Sequence, residues 1–195
     1  LQYAGRAGLR RDVNPWEILA AGFGLANIAL LARRSVWNYP AGMVMVAILA
    51  FVFLQSRLYA VAGLQIFFFA AQAQGLWAWA KAPQQDGAVA VRRLPARGWP
   101  IVLGGGVAAS VMLALILRQT DAAAPWGDAS IAGWSVVAQL LINGRYLESW
   151  PIWVGINFLS IGLYAGQSLW VTAGLSAVFL IGAIIGWRSW QRVAA

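Results

Sequence analysis

Five side chains able to stack or hydrogen-bond interrupt the apolar run SWPIWVGINFLSIGLY (149–164). Trp150, Trp153, Asn157, Ser160 and Tyr164 fall at i, i+3, i+7, i+10 and i+14, which on a helix is one continuous face. A second run carries a companion face, Gln65, Phe68, Phe69 and Gln72, at i, i+3, i+4 and i+7. Asn27, Asn38, Gln139 and Asn143 place further amides within or at the ends of other apolar runs. Amides and rings gathered on faces suit a flat, hydrogen-bonding molecule. The amides meet its polar edges, indoles cover its ring, and a cationic ring gains further from the aromatic faces. The substrate-contact set read from this pattern is Asn38, Gln65, Phe69, Gln72, Gln139, Trp150, Trp153, Asn157 and Tyr164. Asn27, Ser160, Ser176 and Gln74 read as interhelical hydrogen-bonding residues.

Other chemistries are excluded by residue type. The chain has no cysteine and no histidine, which removes disulfides, thiolate or imidazole metal sites and histidine acid–base catalysis. Its six acidic residues lie outside the apolar runs or at their ends. No convergent nucleophile, base or metal cluster is legible, so an enzyme, a cofactor and a metal are not expected. The net charge of +8 comes from Arg and Lys in short loops, without the aromatic-interleaved basic face of a nucleic-acid binder.

These faces need elements to position them. At 61% hydrophobic and 10% charged over 195 residues, the chain reads as an integral membrane protein. A spanning helix takes about 20 apolar residues. Seven spans are expected, at roughly 16–32, 37–55, 58–80, 99–117, 127–143, 149–166 and 168–187. The first residues lack a signal-peptide pattern, so the first span is expected to be retained. Trp16, Trp77, Trp79, Trp99, Trp126, Trp187 and Trp190 fit interfacial belts. Arg6, Arg10, Arg11, Arg57 and Arg118 fall on one side. Arg33, Arg34, Lys81, Arg92, Arg93, Arg97, Arg145, Arg188 and Arg192 fall on the other, which makes that side cytoplasmic, with the N-terminus out and the C-terminus in. The long connection KAPQQDGAVAVRRLPARG (81–98) has the composition of a linker.

The sequence also repeats. Shifting 17–80 onto 128–191, a constant offset of 111, pairs Leu30 with Leu141, Arg34 with Arg145, Pro40 with Pro151, Gly75 with Gly186 and Trp79 with Trp190. Each unit holds three spans with one between them, so both units run in the same direction. Such 3+1+3 duplications place a substrate site between the bundles. Pro40 and Pro151, early in the second helix of each unit, read as hinges. No ionisable residue lies deep in a span, which points to passive, uncoupled transport.

WNYPAG (37–42), LYAVAGLQIFFFAAQAQGLWAW (58–79), RRLPARGW (92–99) and YLESWPIWVGINFLSIGLY (146–164) together resemble the PnuC family of bacterial vitamin transporters. The resemblance runs from Trp16 to Trp190. It implies an all-α integral membrane fold of seven helices, a full-length relative of the SWEET fold. The corresponding segments are an extracytoplasmic stretch (1–15), a first bundle (16–80), a cytoplasmic loop (81–98), a linker helix (99–117), a second bundle (118–191) and a tail (192–195). Nicotinamide riboside uptake across the bacterial inner membrane by facilitated diffusion is implied, with trapping by a separate cytosolic kinase. The family's W-x-x-W tryptophans fall on Trp150 and Trp153, its following asparagine on Asn157, its LQ-x-FFF glutamine on Gln65, and its asparagine before the aromatic–proline pair on Asn38. Gln74 stands where the family commonly has an aromatic, and Gln72 at a variable position. Other family members look specialised for thiamine, riboflavin or deoxynucleosides. A thiamine facilitator therefore remains an alternative, as does a membrane receptor or scaffold that transports nothing. Expected partners are a small vitamin and the lipid bilayer, and a homo-oligomer such as a trimer is compatible.

Overall fold

The computed structural model describes residues 15–55, 59–119, 125–167 and 170–194. Arg6, Arg10, Arg11 and Arg57 of the charge comparison, and the stretch 1–14, lie outside the described residues. Among these described residues seven helices follow in order: α1 (Pro15–Ala32), α2 (Asn38–Gln55), α3 (Tyr59–Ala80), α4 (Trp99–Leu117), α5 (Pro125–Asn143), α6 (Ser149–Gly166) and α7 (Trp170–Gln191). Among the described residues, four stretches, in α1, α2, α4 with its preceding turn, and α7, are long and apolar enough to cross a membrane by composition alone. The remaining helices, α3, α5 and α6, carry Gln72, Gln139 and the Trp153/Asn157 pair. Part of the polarity that lowers their hydropathy is therefore the polarity of the cavity.

Local chemistry sets the helix ends. α1 and α5 both open on proline and carry an acid in the first turn, Glu17 and Asp128, where a carboxylate meets the positive end of the helix dipole. They also end alike. Arg34 and Arg145 adopt φ of 57° and 63°, the left-handed conformation that terminates a helix. Around them Ser35 N donates to Leu30 O at 3.0 Å and Arg34 N to Leu31 O at 2.9 Å. At the second site, Tyr146 N donates to Leu141 O and Arg145 N to Ile142 O at 2.9 and 2.8 Å. Pro40 and Pro151 each sit third in α2 and α6. In a first turn the backbone N–H has no intrahelical partner to lose, so neither proline interrupts its helix.

Six helices contact in a closed order, α1–α2–α3–α5–α6–α7 and back to α1, while α4 packs chiefly on α5. Lipid tails are as apolar as leucine, so close packing and hydrogen bonds must hold the helices together. At α4–α5 a Cβ added to Gly133 would lie 2.7 Å from the Ser110 backbone N, a contact only glycine permits.

The core gathers at the basic end, around Tyr39, Trp79, Trp150 and Trp190. Trp79 and Trp190 are fully buried and do not belong to an interfacial belt. Each spends its indole N–H across the fold: Trp79 Nε1 donates to Ile142 O at 3.0 Å, and Trp190 Nε1 to Leu31 O at 3.1 Å. These donors and acceptors are exchanged by the same offset of 111. Trp16, Trp77, Trp99 and Trp126 do lie exposed.

Residues 81–98 are no loose linker. Asp86 and Gly87, both at positive φ, turn a two-stranded antiparallel hairpin, β1 (Gln84–Gln85) and β2 (Ala88–Val89). The strap continues across the basic end. Val89 N donates to Arg34 O at 3.3 Å, Arg92 N to Arg145 O at 3.0 Å, and Leu147 N to Arg92 O at 3.0 Å. Val89 and Val91 are buried against the aromatic core.

Candidate functional site

A cavity of about 150 Å³ lies among α1, α2, α3, α5, α6 and α7, just below the aromatic core. Its lining includes six of the nine residues expected to contact substrate: Asn38, Gln72, Gln139, Trp150, Trp153 and Asn157. Gln65, Phe69 and Tyr164 do not line it. Gln65 is buried one face-repeat away on α3, Phe69 is 42% exposed on the outer surface, and Tyr164 lies a full two turns beyond Asn157 along α6. Periodicity picked out the cavity-facing side of α6 without the depth at which the cavity ends, and on α3 it drew the face too wide, since Phe69 turns to the outer surface.

The structure adds Asn27, Met45 and Phe179 to the lining. Gly24 lets the last two meet there, since a Cβ at Gly24 would be 3.0 Å from both Met45 Sδ and Phe179 Cζ. Asn27 also bridges helices as expected, donating to Asn38 O at 2.7 Å. Gln74 bridges α3 to α5 by accepting from Asn143 Nδ2 at 2.8 Å. Ser160 and Ser176 do not bridge helices. Each donates to the carbonyl four residues back, Ile156 and Thr172, the bond a short hydroxyl reaches most easily within its own helix.

The amides face the cavity in a consistent sense. Asn27 Nδ2 is held by Asn38 O, Asn38 Nδ2 by Ser35 O at 2.7 Å, Gln139 Nε2 by Asn143 Oδ1 at 2.9 Å, and Asn157 Nδ2 by Trp153 O at 2.8 Å. Only an NH₂ group can meet a carbonyl, so these orientations are fixed chemically. The amide oxygens of Asn27, Asn38, Gln139 and Asn157 are left without a donor among the described residues. Gln72, buried beside them, makes no hydrogen bond to a described residue. Asn143, the partner of Gln139, is itself anchored to Ala71 O at 2.8 Å.

The indoles supply the other wall. Trp150 Nε1 and Trp153 Nε1 are buried without a partner among the described residues, so the cavity meets these rings through carbon. No lining residue carries a charge or titrates near neutrality. Unpaired carbonyl-type oxygens opposite aromatic carbon favour a ligand that brings hydrogen-bond donors and a positively polarised ring.

The helices and this cavity define a polytopic membrane transporter. A family model described as nicotinamide mononucleotide transporter matches residues 14–192, and the chain belongs to that family. It is 31% identical over 206 residues to the nicotinamide riboside transporter PnuC of Escherichia coli (strain K12), across 92% of this chain and 86% of that one. It is 24% identical over 187 residues to the nicotinamide riboside transporter PnuC of Neisseria mucosa, across 90% and 71%. In fold it is similar to the crystal structure of the vitamin B3 transporter PnuC, with a TM-score of 0.74 at 24% identity over 91% of this chain and 81% of that one.

Proposed function

We propose that the chain moves nicotinamide riboside across the bacterial inner membrane by uncoupled facilitated diffusion. The observation that carries this is the cavity's acceptor-lined, indole-walled and charge-free character. The riboside brings hydroxyl and carboxamide donors for the amide oxygens and a pyridinium for the rings of Trp150 and Trp153. A mononucleotide fits less well, because its phosphate would enter a buried site with no arginine or lysine to meet it. At about 150 Å³ the cavity is smaller than the roughly 300–1,000 Å³ of ordinary ligand pockets, so the walls must part to admit a nucleoside. The contact order of the helices supports a carrier of two parallel three-helix units, α1–α3 and α5–α7, joined by α4 and rocking about this site. In this reading the strap end is cytoplasmic, the N-terminus faces out, and Pro40 and Pro151 mark the pivots at the helix starts. A cytosolic kinase traps the product.

Thiamine is the second reading, since it too pairs a cationic ring with amine and hydroxyl donors. Isothermal titration of the purified protein with nicotinamide riboside, thiamine, riboflavin and a deoxynucleoside separates these cargoes. Micromolar or tighter binding is expected for the riboside, and preference for another compound would reassign the cargo. Uptake into ligand-free liposomes should stop at equal concentration and ignore imposed proton or sodium gradients. Accumulation beyond that level would reject the passive mechanism, and absence of any flux would favour a receptor or scaffold.

A further inference from the structure

On the outer surface, away from the central cavity, a groove of about 570 Å³ runs between α3 and α5. Its lower wall is apolar and exposed, with Phe67, Ala70 and Leu140 facing the surroundings. Its head is basic. Arg145 stands on the turn that ends α5, and Arg92 reaches it from the strap.

Neither guanidinium has a carboxylate partner among the described residues. Arg92 Nε donates to Gly144 O at 2.8 Å and the group lies 4.3 Å from the Tyr146 ring centroid, while Arg145 Nη1 makes one long bond, 3.4 Å, to Ala90 O. Each guanidinium has five N–H donors, so most are left over. Glu148, the acid on the same turn, is turned away and accepts from Leu94 N at 2.8 Å. Burial and the neighbouring Arg92 lower the pKa of Arg145 from its ordinary value, as expected for two like charges held together without an anion.

The geometry points to an anionic phospholipid bound in this groove, its phosphate between Arg92 and Arg145 and an acyl chain along Phe67, Ala70 and Leu140. A bilayer supplies both halves of that ligand at the same depth, and basic pockets between membrane helices are where acidic headgroups bind. A second copy of the chain fits worse. Copies inserted in one orientation bring the same end together, and this end carries nine basic residues against Asp86 and Glu148. A free phosphate would use the arginines and leave the apolar wall without a role.

The test is native mass spectrometry of the full chain in detergent, titrated with phosphatidylglycerol and with phosphatidylcholine of the same acyl chains. Phosphatidylglycerol should be retained in clear preference. Arg145→Gln should weaken it about fivefold, and Arg92→Gln/Arg145→Gln about twenty-five-fold, the factors expected from the pull of each basic residue on an acidic headgroup. Because Arg92 also tethers a turn, Ala70→Trp provides an independent check. It leaves both arginines intact, narrows the apolar wall and should weaken retention as well. Equal retention of the two lipids, or an undiminished preference in the double variant, overturns the assignment. Loss in the arginine variants with none in Ala70→Trp, together with competition by millimolar inorganic phosphate, marks a free-anion site and also overturns it. So does a dimer mass appearing in place of lipid adducts.

Discussion

The amide wall of the cavity depends on Gly42. A methyl group at this position would press on Gln72 Nε2 and lie 2.8 Å from Gln72 Cδ and 2.9 Å from Asn27 Nδ2. All three atoms are ends of flexible side chains, so Gly42→Ala should fold, with an overpacking cost at the low end of about 1–3 kcal/mol. The helix itself recovers roughly 0.5–1 kcal/mol from replacing glycine, leaving stability nearly unchanged. Binding should not escape so lightly. The displaced Gln72 and Asn27 amides each stand to lose a hydrogen bond of about 0.5–1.5 kcal/mol to the ligand. Together these predict a Kd for nicotinamide riboside weakened about tenfold. Gly155→Ala is the control, because a Cβ there meets nothing within 4 Å. Titration calorimetry and thermal melting of both variants decide the matter. Unchanged affinity in Gly42→Ala would show that Gln72 and Asn27 do not touch the ligand, and equal weakening in both variants would show a general helix effect instead.

Trp153→Ala and Asn157→Ala should each abolish binding while the protein stays folded in detergent, and wild-type binding by both would remove the indole–amide wall from the site. Trp79→Phe and Trp190→Phe each delete one crossed N–H···O=C bond and should lower stability by about 1 kcal/mol. Their ring centroids are 6.0 Å apart, so thermal unfolding of the double variant should depart from additivity. Since no group lining the cavity titrates near neutrality, the Kd for the permanently charged riboside should stay level between about pH 6 and 8, where histidine-type switches act. A several-fold drift would mean that a titrating group reaches the ligand.

The apolar runs located all seven helices to within a few residues, because the demand for about 20 apolar residues per crossing leaves little freedom. α7 runs past its expected end at 187 to Gln191. Arg188 and Gln191 are polar residues that an apolar run does not include, yet Trp190, docked on the end of α1, lies within the helix. The burial of Trp79 and Trp190 was legible in principle, since they pair at the repeat offset whereas belt tryptophans such as Trp77 and Trp99 do not. Asp86-Gly87 is a strong hairpin signal, but strands of two residues show no alternation, so the strap read as a linker. Helical spacing identified the cavity-facing sides of α3 and α6. It could not say that the cavity stops short of Tyr164 and leaves Phe69 outside, because that depends on contacts between segments far apart in sequence.

The two stretches related by the offset of 111 line the cavity with different chemistry. At the offset of 111, Asn27, Gly42 and Gln72 correspond to Ala138, Trp153 and Ala183. One half sets two amides over a glycine where the other sets an indole between two alanines. Identical halves would offer a flat ring the same wall twice, and the ring could lie either way up at equal energy. Exchanging polarity for bulk at matched positions removes that degeneracy, so the two faces of a flat ring would meet different surfaces. Under the proposed transport function, such a difference would let the site tell the head of an unsymmetrical molecule from its tail, which two identical walls could not do.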